Sequence, residues 1–179
     1  MKTISLYVVS ALLLCGCTKK DPGASQREAV QRIEKEMAQF AASNNAKPLD
    51  AVTANWKWNS LTADMEAELT KDAKPVVAEL VFPDVRRDQS NNLVLEGTVS
   101  LPIPWQGRIE ALISTNLLPQ VRESRSNLAG LWLVLKVEAV QRRPIANDNE
   151  EIVLRGRAET AESRPPGEWA TRIARPAAK

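Results

Sequence analysis

The sequence predicts an α+β protein in which an N-terminal helix packs on a mostly antiparallel β-sheet within a single domain. Apolar residues recur at helical spacing near the N-terminus, and beyond Pro48 they alternate with polar residues as in strands. The chain has 179 residues, of which 44% are hydrophobic and 26% charged. This length and composition fit one globular domain with a substantial core.

The N-terminal helix is expected over residues 26–42. One of its faces carries the apolar residues Val30, Ile33, Met37 and Phe40. Ser25 and Glu28 have the spacing of a capping box, which marks a helix start. The polar residues that follow, Ser43 to Asn45, and then Pro48 are expected to end the helix.

Alternating residues predict strands in the rest of the chain. The predicted strand segments are 65–70, 75–82, 93–101, 131–137 and 152–158. Segment 105–119 suits a short helix, although its stretch RIEALI could also form a strand. The polar residues 147–149 predict a hairpin between the last two strands. Two stretches resemble each other, VFPDVRR with NNLVLEGTV and KVEAVQRR with EEIVLRGRA, and both read as antiparallel hairpins.

The first 17 residues have the pattern of an export signal. A short basic start precedes an apolar run over residues 4–14, which is too short to cross a bilayer as a helix but suits a signal peptide. Leu14, Cys15, Gly16 and Cys17 then follow, and this stretch resembles the lipobox of bacterial lipoproteins. A plain secretory signal cleaved elsewhere, or a short buried helix, is the alternative.

The lipobox resemblance implies where the protein resides. It implies that residues 1–16 are removed as a signal peptide and that Cys17 carries lipid, with residues 17–24 as a lipidated tether. The expected location is the periplasmic side of the outer membrane, because Thr18 is not the Asp that favours inner-membrane retention. Both cysteines are then used, so no thiol remains for a disulfide, a metal or a nucleophile.

The sequence lacks the residues and motifs that most kinds of enzyme catalysis require. The chain has no histidine, and neither a Ser-x-x-Lys, a G-x-G-x-x-G nor a P-loop motif occurs. We therefore expect no enzyme activity, no cofactor and no metal. The net charge of +2 gives no basis for nucleic-acid binding. Glu66 and Glu68 remain as a candidate carboxylate pair, since on one strand face they would lie roughly 7 Å apart, as a glycosidase requires.

Two residue pairs are candidates for binding. Trp56 and Trp58 would project from the same side of a strand, where they could stack on sugar rings or receive a partner. The alternative is that both tryptophans cap the core against the first helix. Arg155 and Arg157 share a wet strand face and could bind an anionic partner, but neighbouring Glu138 and Glu159 could instead neutralise them.

Together these features predict a non-enzymatic, membrane-anchored envelope lipoprotein. Its domain, residues 25–162, is expected to bind a protein partner or act as a scaffold, and residues 163–179 form a proline-rich tail. One alternative is a periplasmic inhibitor or immunity lipoprotein that blocks a lytic enzyme. A second is a glycan-binding or carbohydrate-active lipoprotein.

Overall fold

The computed structural model describes residues 22–53, 63–70, 74–101, 106–127, 129–145 and 150–166. The helices are α1 (Pro22–Ser43), α2 (Leu49–Thr53), α3 (Ala63–Thr70) and α4 (Leu118–Ser126), with a 3₁₀ turn at Thr115–Leu117. The strands are β1 (Lys47–Pro48), β2 (Val76–Arg87), β3 (Leu93–Ser100), β4 (Gln106–Leu112), β5 (Ala129–Pro144) and β6 (Glu150–Pro166). The predicted α+β class with a mostly antiparallel sheet is confirmed.

The sheet closes on itself. Its strand order is β1-β2-β3-β4-β6-β5, and β2 also pairs with β5, from Val76 opposite Leu135 to Leu80 opposite Leu131. Strands β2 to β6 thus form a five-stranded barrel, to which β1 adds a short parallel strand. Within the barrel, β4 and β6 are parallel and the other neighbours are antiparallel. This order, with α4 between the third and fourth barrel strands, is the Greek-key arrangement of an OB-fold barrel.

Aliphatic side chains fill the barrel interior. Alternate residues of each strand point inward, so that Leu80, Leu95, Ile109, Leu133 and Leu154 are completely buried. Each buried side chain of this size stabilises the fold by roughly 1.5 to 3 kcal/mol relative to an exposed one. Leu49 of α2, Leu69 of α3 and Val121 of α4 belong to the same core.

Helix α1 packs on the outside of the barrel. Its buried residues Ile33, Met37 and Ala41 contact Val77 of β2 together with Trp132 and Val134 of β5. The predicted helix over 26–42 is confirmed, and it ends as predicted, because Asn45 has a positive φ of 51°. The capping-box prediction is wrong, since the helix begins at Pro22 and Ser25 lies within its first turns. Val30 and Phe40 are only half-buried.

Trp132 is the centre of the contact between α1 and the barrel. Its ring lies 5.7 Å from that of Phe40, and the Arg164 guanidinium carbon lies 3.9 Å above it. Arg164 also forms ion pairs with Glu36 of α1 and, at 2.9 Å, with Glu162. A residue near the end of β6 therefore joins the helix to the barrel through a cation–π contact and a salt bridge.

One predicted strand segment differs from the structure, and the open alternatives for segment 105–119 are resolved. Residues 65–70 belong to helix α3, so the strand prediction is wrong there. The segment consists mostly of good helix formers, and Leu69 on the helix is buried in the barrel core. In segment 105–119, the strand alternative is correct for β4, whereas α4 was not predicted because its polar sequence buries only Val121 and Ser124.

The remaining predicted strands are present, but β2, β5 and β6 extend five to eight residues beyond their predicted ends. The hairpin of β5 and β6 is confirmed by pairing from Pro144 opposite Glu150 onward, while residues 147–149 lie outside the described residues. Strand β6 continues to Pro166, so its last four residues fall in the predicted tail. Within the part of the chain described here, no helix is long and apolar enough to cross a membrane.

Two glycines test how tightly the barrel strands approach one another. A Cβ atom on Gly156 would collide with the backbone carbonyl oxygen of Lys136 on β5. On Gly97 it would meet the Leu80 Cδ2 atom at 2.8 Å, which is the flexible end of a side chain.

We expect Gly156→Ala to lower the free energy of unfolding by about 3 kcal/mol and Gly97→Ala by about 1 kcal/mol, as measured by urea denaturation. Equal losses would contradict the strand approach described here.

Candidate functional site

Two carboxylates face each other on the outer surface of the barrel. Glu96 of β3 lies directly opposite Glu110 of β4 in the antiparallel pair. Their side chains are only 16% and 8% exposed. Two like charges in this position repel each other, so the arrangement requires compensating cations.

Each of these carboxylates is held by two arginines. Glu96 forms ion pairs with Arg86 of β2 and Arg108 of β4. Glu110 forms ion pairs, both at 2.9 Å, with Arg143 of β5 and Arg155 of β6. We call these two glutamates and four arginines the charge ladder. It links all five barrel strands on the solvent side, and Arg143 extends it to Glu151 at 2.6 Å.

The ladder favours the ionised form of the Glu96 carboxylate. Burial opposes ionisation of Glu96, but hydrogen bonds from Arg86 and Arg108 and their charges outweigh it, so the Glu96 pKa lies below its ordinary value. The pKa of Arg86 is raised by its hydrogen bond to Glu96, and that of Arg143 by its hydrogen bond to Glu151. A glycosidase acid needs the opposite, a raised carboxyl pKa. The ladder suits a structural or binding surface.

The predicted binding arginines occupy different environments. Arg155 is a member of the charge ladder, bound to Glu110, which sequence reasoning did not identify as its partner. Arg157 lies 3.9 Å from Glu138, as the neutralisation alternative predicted. Trp56, Trp58 and Cys17 lie outside the described residues.

The predicted carboxylate pair is not brought together on a strand. Glu66 and Glu68 are exposed residues of helix α3. Helical residues two apart do not share a face, so the strand spacing assumed for a glycosidase pair is wrong. The described residues also contain no group of three or more Asp, Glu, Cys or His that could hold a metal ion.

An exposed aromatic residue marks a bend in β2. Phe82 is 67% exposed and has a φ of 52°, in the left-handed region. It lies where the register of β2 against β3 shifts, between Val81 and Asp84. A bulky side chain rarely adopts this conformation, because its Cβ clashes with the backbone. The sequence signal for this bend is Pro83, which follows Phe82 in the strand.

A cavity of about 300 Å³ lies between α4 and the β2–β3 hairpin. Its apolar lining consists of Val85, Leu93, Leu118 and Val121. Three cationic side chains, Arg87, Arg122 and Arg125, complete the lining. Sequence analysis missed this site because α4 was not predicted as a helix.

Scans of protein-family models, curated proteins and solved structures return no match for this chain. The OB-fold arrangement therefore follows from the strand pairing alone.

The Glu96 carboxylate should make stability depend on pH. Because its folded pKa is below the ordinary value of 4.5, its contribution is present above about pH 4.5 and is lost as the pH falls through the folded pKa. We expect Glu96→Gln to lower the free energy of unfolding at pH 7 by about 1 to 3 kcal/mol and to flatten its decline below pH 5. Urea denaturation between pH 3 and 7 measures both effects.

Glu138→Gln is the matched control for this experiment. Glu138 is 51% exposed and lies 3.9 Å from its arginine, so its removal should change stability by less than about 0.5 kcal/mol. A Glu96→Gln protein with the same pH dependence as the wild type would show that the ladder does not hold this carboxylate in its ionised form.

Proposed function

We propose that this protein is a non-enzymatic envelope lipoprotein whose single folded domain, tethered through Cys17 to the periplasmic face of the outer membrane, binds a protein partner. The lipobox-like sequence supports the anchor. The exposed aromatic ring of Phe82 supports the partner surface and is the observation that carries the binding proposal.

The anchor would hold the barrel close to the membrane. Four residues separate Cys17 from Pro22, the start of α1, and an extended chain covers at most about 3.6 Å per residue. The five residue-to-residue steps from Cys17 to Pro22 therefore reach no more than about 18 Å. A diacylated or triacylated cysteine binds the bilayer stably, whereas one acyl chain binds only marginally. Confinement to the surface raises the effective concentration of any partner on the same membrane.

Phe82 has the features of an interface contact. A β-bulge redirects side chains, and here it presents an aromatic ring to solvent on a rigid barrel strand. Aromatic residues are enriched at the centres of protein interfaces. The neighbouring Asp84 and Arg125, paired at 2.5 Å, would form a polar rim.

The charge ladder supports a binding role over catalysis. Its two partly buried carboxylates already accept hydrogen bonds from two arginines each. Both oxygens of each carboxylate accept an arginine hydrogen bond, and the pKa of Glu96 lies below its ordinary value. They therefore suit a rigid scaffold better than proton transfer.

Substitution of the two cysteines tests the anchor. We expect Cys17→Ser to abolish incorporation of radiolabelled palmitate and to move the protein out of the membrane fraction. Cys15→Ser is the matched control, and it should retain both properties because residue 15 would be discarded with the signal. Labelling of the Cys17→Ser protein at the wild-type level would refute lipidation at this position.

Substitution of Phe82 tests the partner surface. A photo-crosslinking amino acid at position 82 should capture a discrete envelope protein, identified by mass spectrometry, whereas the same probe at exposed Thr98 of β3 should not. Phe82→Asn should abolish co-purification of that partner. Because Asn tolerates a positive φ, the variant should unfold with a free energy equal to the wild type or up to about 1 kcal/mol higher.

The outcomes distinguish a binding role from a structural one. A loss of more than about 2 kcal/mol in Phe82→Asn would indicate that the ring is needed for folding. Equal crosslinking from positions 82 and 98 would refute a specific surface. Capture of a lytic enzyme by the probe at position 82 would assign the inhibitory form of protein binding.

A further inference from the structure

The cavity between α4 and the β2–β3 hairpin has the construction of a small-molecule site. We propose that it binds a carboxylate attached to a short aliphatic chain, the chemistry of a medium-chain fatty acid. This inference does not depend on the anchor at Cys17, and the cavity shares only Arg125 with the polar rim proposed around Phe82. It rests on the lining, the charge and the size of the cavity.

The lining favours an aliphatic ligand. Four of its seven residues, Val85, Leu93, Leu118 and Val121, have branched aliphatic side chains, and none is aromatic. Val121 is buried, and Val85, Leu93 and Leu118 pack against the barrel core. The cavity is therefore an extension of the hydrophobic interior toward the surface. A flexible hydrocarbon chain would gain stabilisation there by leaving water.

The cationic part of the lining lacks full neutralisation. Arg125 is paired with Asp84, and both side chains are more than half exposed, so this bond is weak. Arg87 donates to the Asn91 carbonyl oxygen at 2.8 Å and to its side-chain oxygen at 3.1 Å, both uncharged acceptors. Arg122 is exposed, and its guanidinium makes no salt bridge to the carboxylates of the described residues.

Arg87 and Arg122 differ from the other barrel arginines in lacking a carboxylate partner among the described residues. Each ladder arginine binds a carboxylate, and so does Arg142, through Glu150. Asp88 follows Arg87 in the sequence. Its carboxylate accepts hydrogen bonds from the backbone of Ser90 and Asn92 and from the Asn92 side chain. The cavity thus combines an apolar floor with two guanidinium groups, those of Arg87 and Arg122, that form no salt bridge among the described residues. A planar carboxylate is the anion that a guanidinium binds in a bidentate geometry.

The volume sets the size of the ligand. A cavity of about 300 Å³ accommodates about ten non-hydrogen atoms if each occupies about the volume of one liquid water, 30 Å³. Octanoate has this size. A longer chain would have to extend past the exposed arginines into solvent.

Equilibrium dialysis with radiolabelled octanoate tests the proposal. The full chain is held in lipid nanodiscs if it carries lipid and in plain buffer if it does not, and uptake by protein-free samples of the same composition is subtracted. We expect saturable binding of one octanoate per chain. Octanol, which has the tail without the charge, and inorganic phosphate, which has charge without the tail, should compete at least about tenfold less well.

Arginine variants locate the site. Arg122→Gln and Arg87→Gln should each weaken octanoate binding about tenfold or more, because a charge-assisted hydrogen bond is lost. Arg157→Gln is the matched control, since it removes an exposed arginine of β6 and should leave binding unchanged. Circular dichroism melting curves confirm that each variant is folded.

Three results would overturn the proposal. The first is the absence of saturable octanoate binding. The second is equal competition by phosphate, which would indicate an anion site without an apolar component. The third is an equal loss of affinity in Arg157→Gln and Arg122→Gln, which would indicate nonspecific attraction to a basic surface.

Discussion

Hydrogen bonding between β2 and β5 is the constraint on which the rest of the structure depends. Strand β2 pairs with β5 through its first half and with β3 through its second half, so it must bend between the two. The bulge between Val81 and Asp84 supplies that bend, and the positive φ of Phe82 lies within it. Small barrels use such bulges to close, because a regularly pleated strand does not bend sharply enough to pair with neighbours on both sides of the closed sheet. Closure therefore explains the strained backbone at Phe82, and the bulge sets where its exposed ring points.

Closure also divides the outside of the barrel into two regions with different chemistry. Helix α1 covers β2 and β5, where Trp132 and Val77 present apolar side chains outward. On the uncovered side, outward residues meet water, and the charge ladder occupies that face. Partly exposed ion pairs of this kind contribute modestly to stability. Their main effect is to make the close approach of Glu96 and Glu110 tolerable on neighbouring strands.

The sequence revealed the elements of this fold better than their arrangement. Helix α1 and most barrel strands follow from local apolar periodicity, which a single sequence displays. Closure depends on pairing between distant segments, β2 with β5 and β4 with β6. The local pattern of apolar residues does not indicate which distant strand each strand pairs with. The site shows the same limit. Arg155 was a candidate, but its partner Glu110 is 45 residues away, whereas the nearby Glu138 lies beside Arg157 instead.

The two similar hairpins noted in the sequence show how a shared pattern acquires two roles. Each first strand ends in a pair of arginines, and one member of each pair, Arg86 or Arg143, joins the charge ladder. The other members differ. Arg142 forms a salt bridge with Glu150 across its own hairpin. Arg87 instead donates hydrogen bonds to two uncharged oxygens of Asn91. Because helix α4 packs beside Arg87 and adds Arg122 and Arg125 there, three arginines line one apolar cavity.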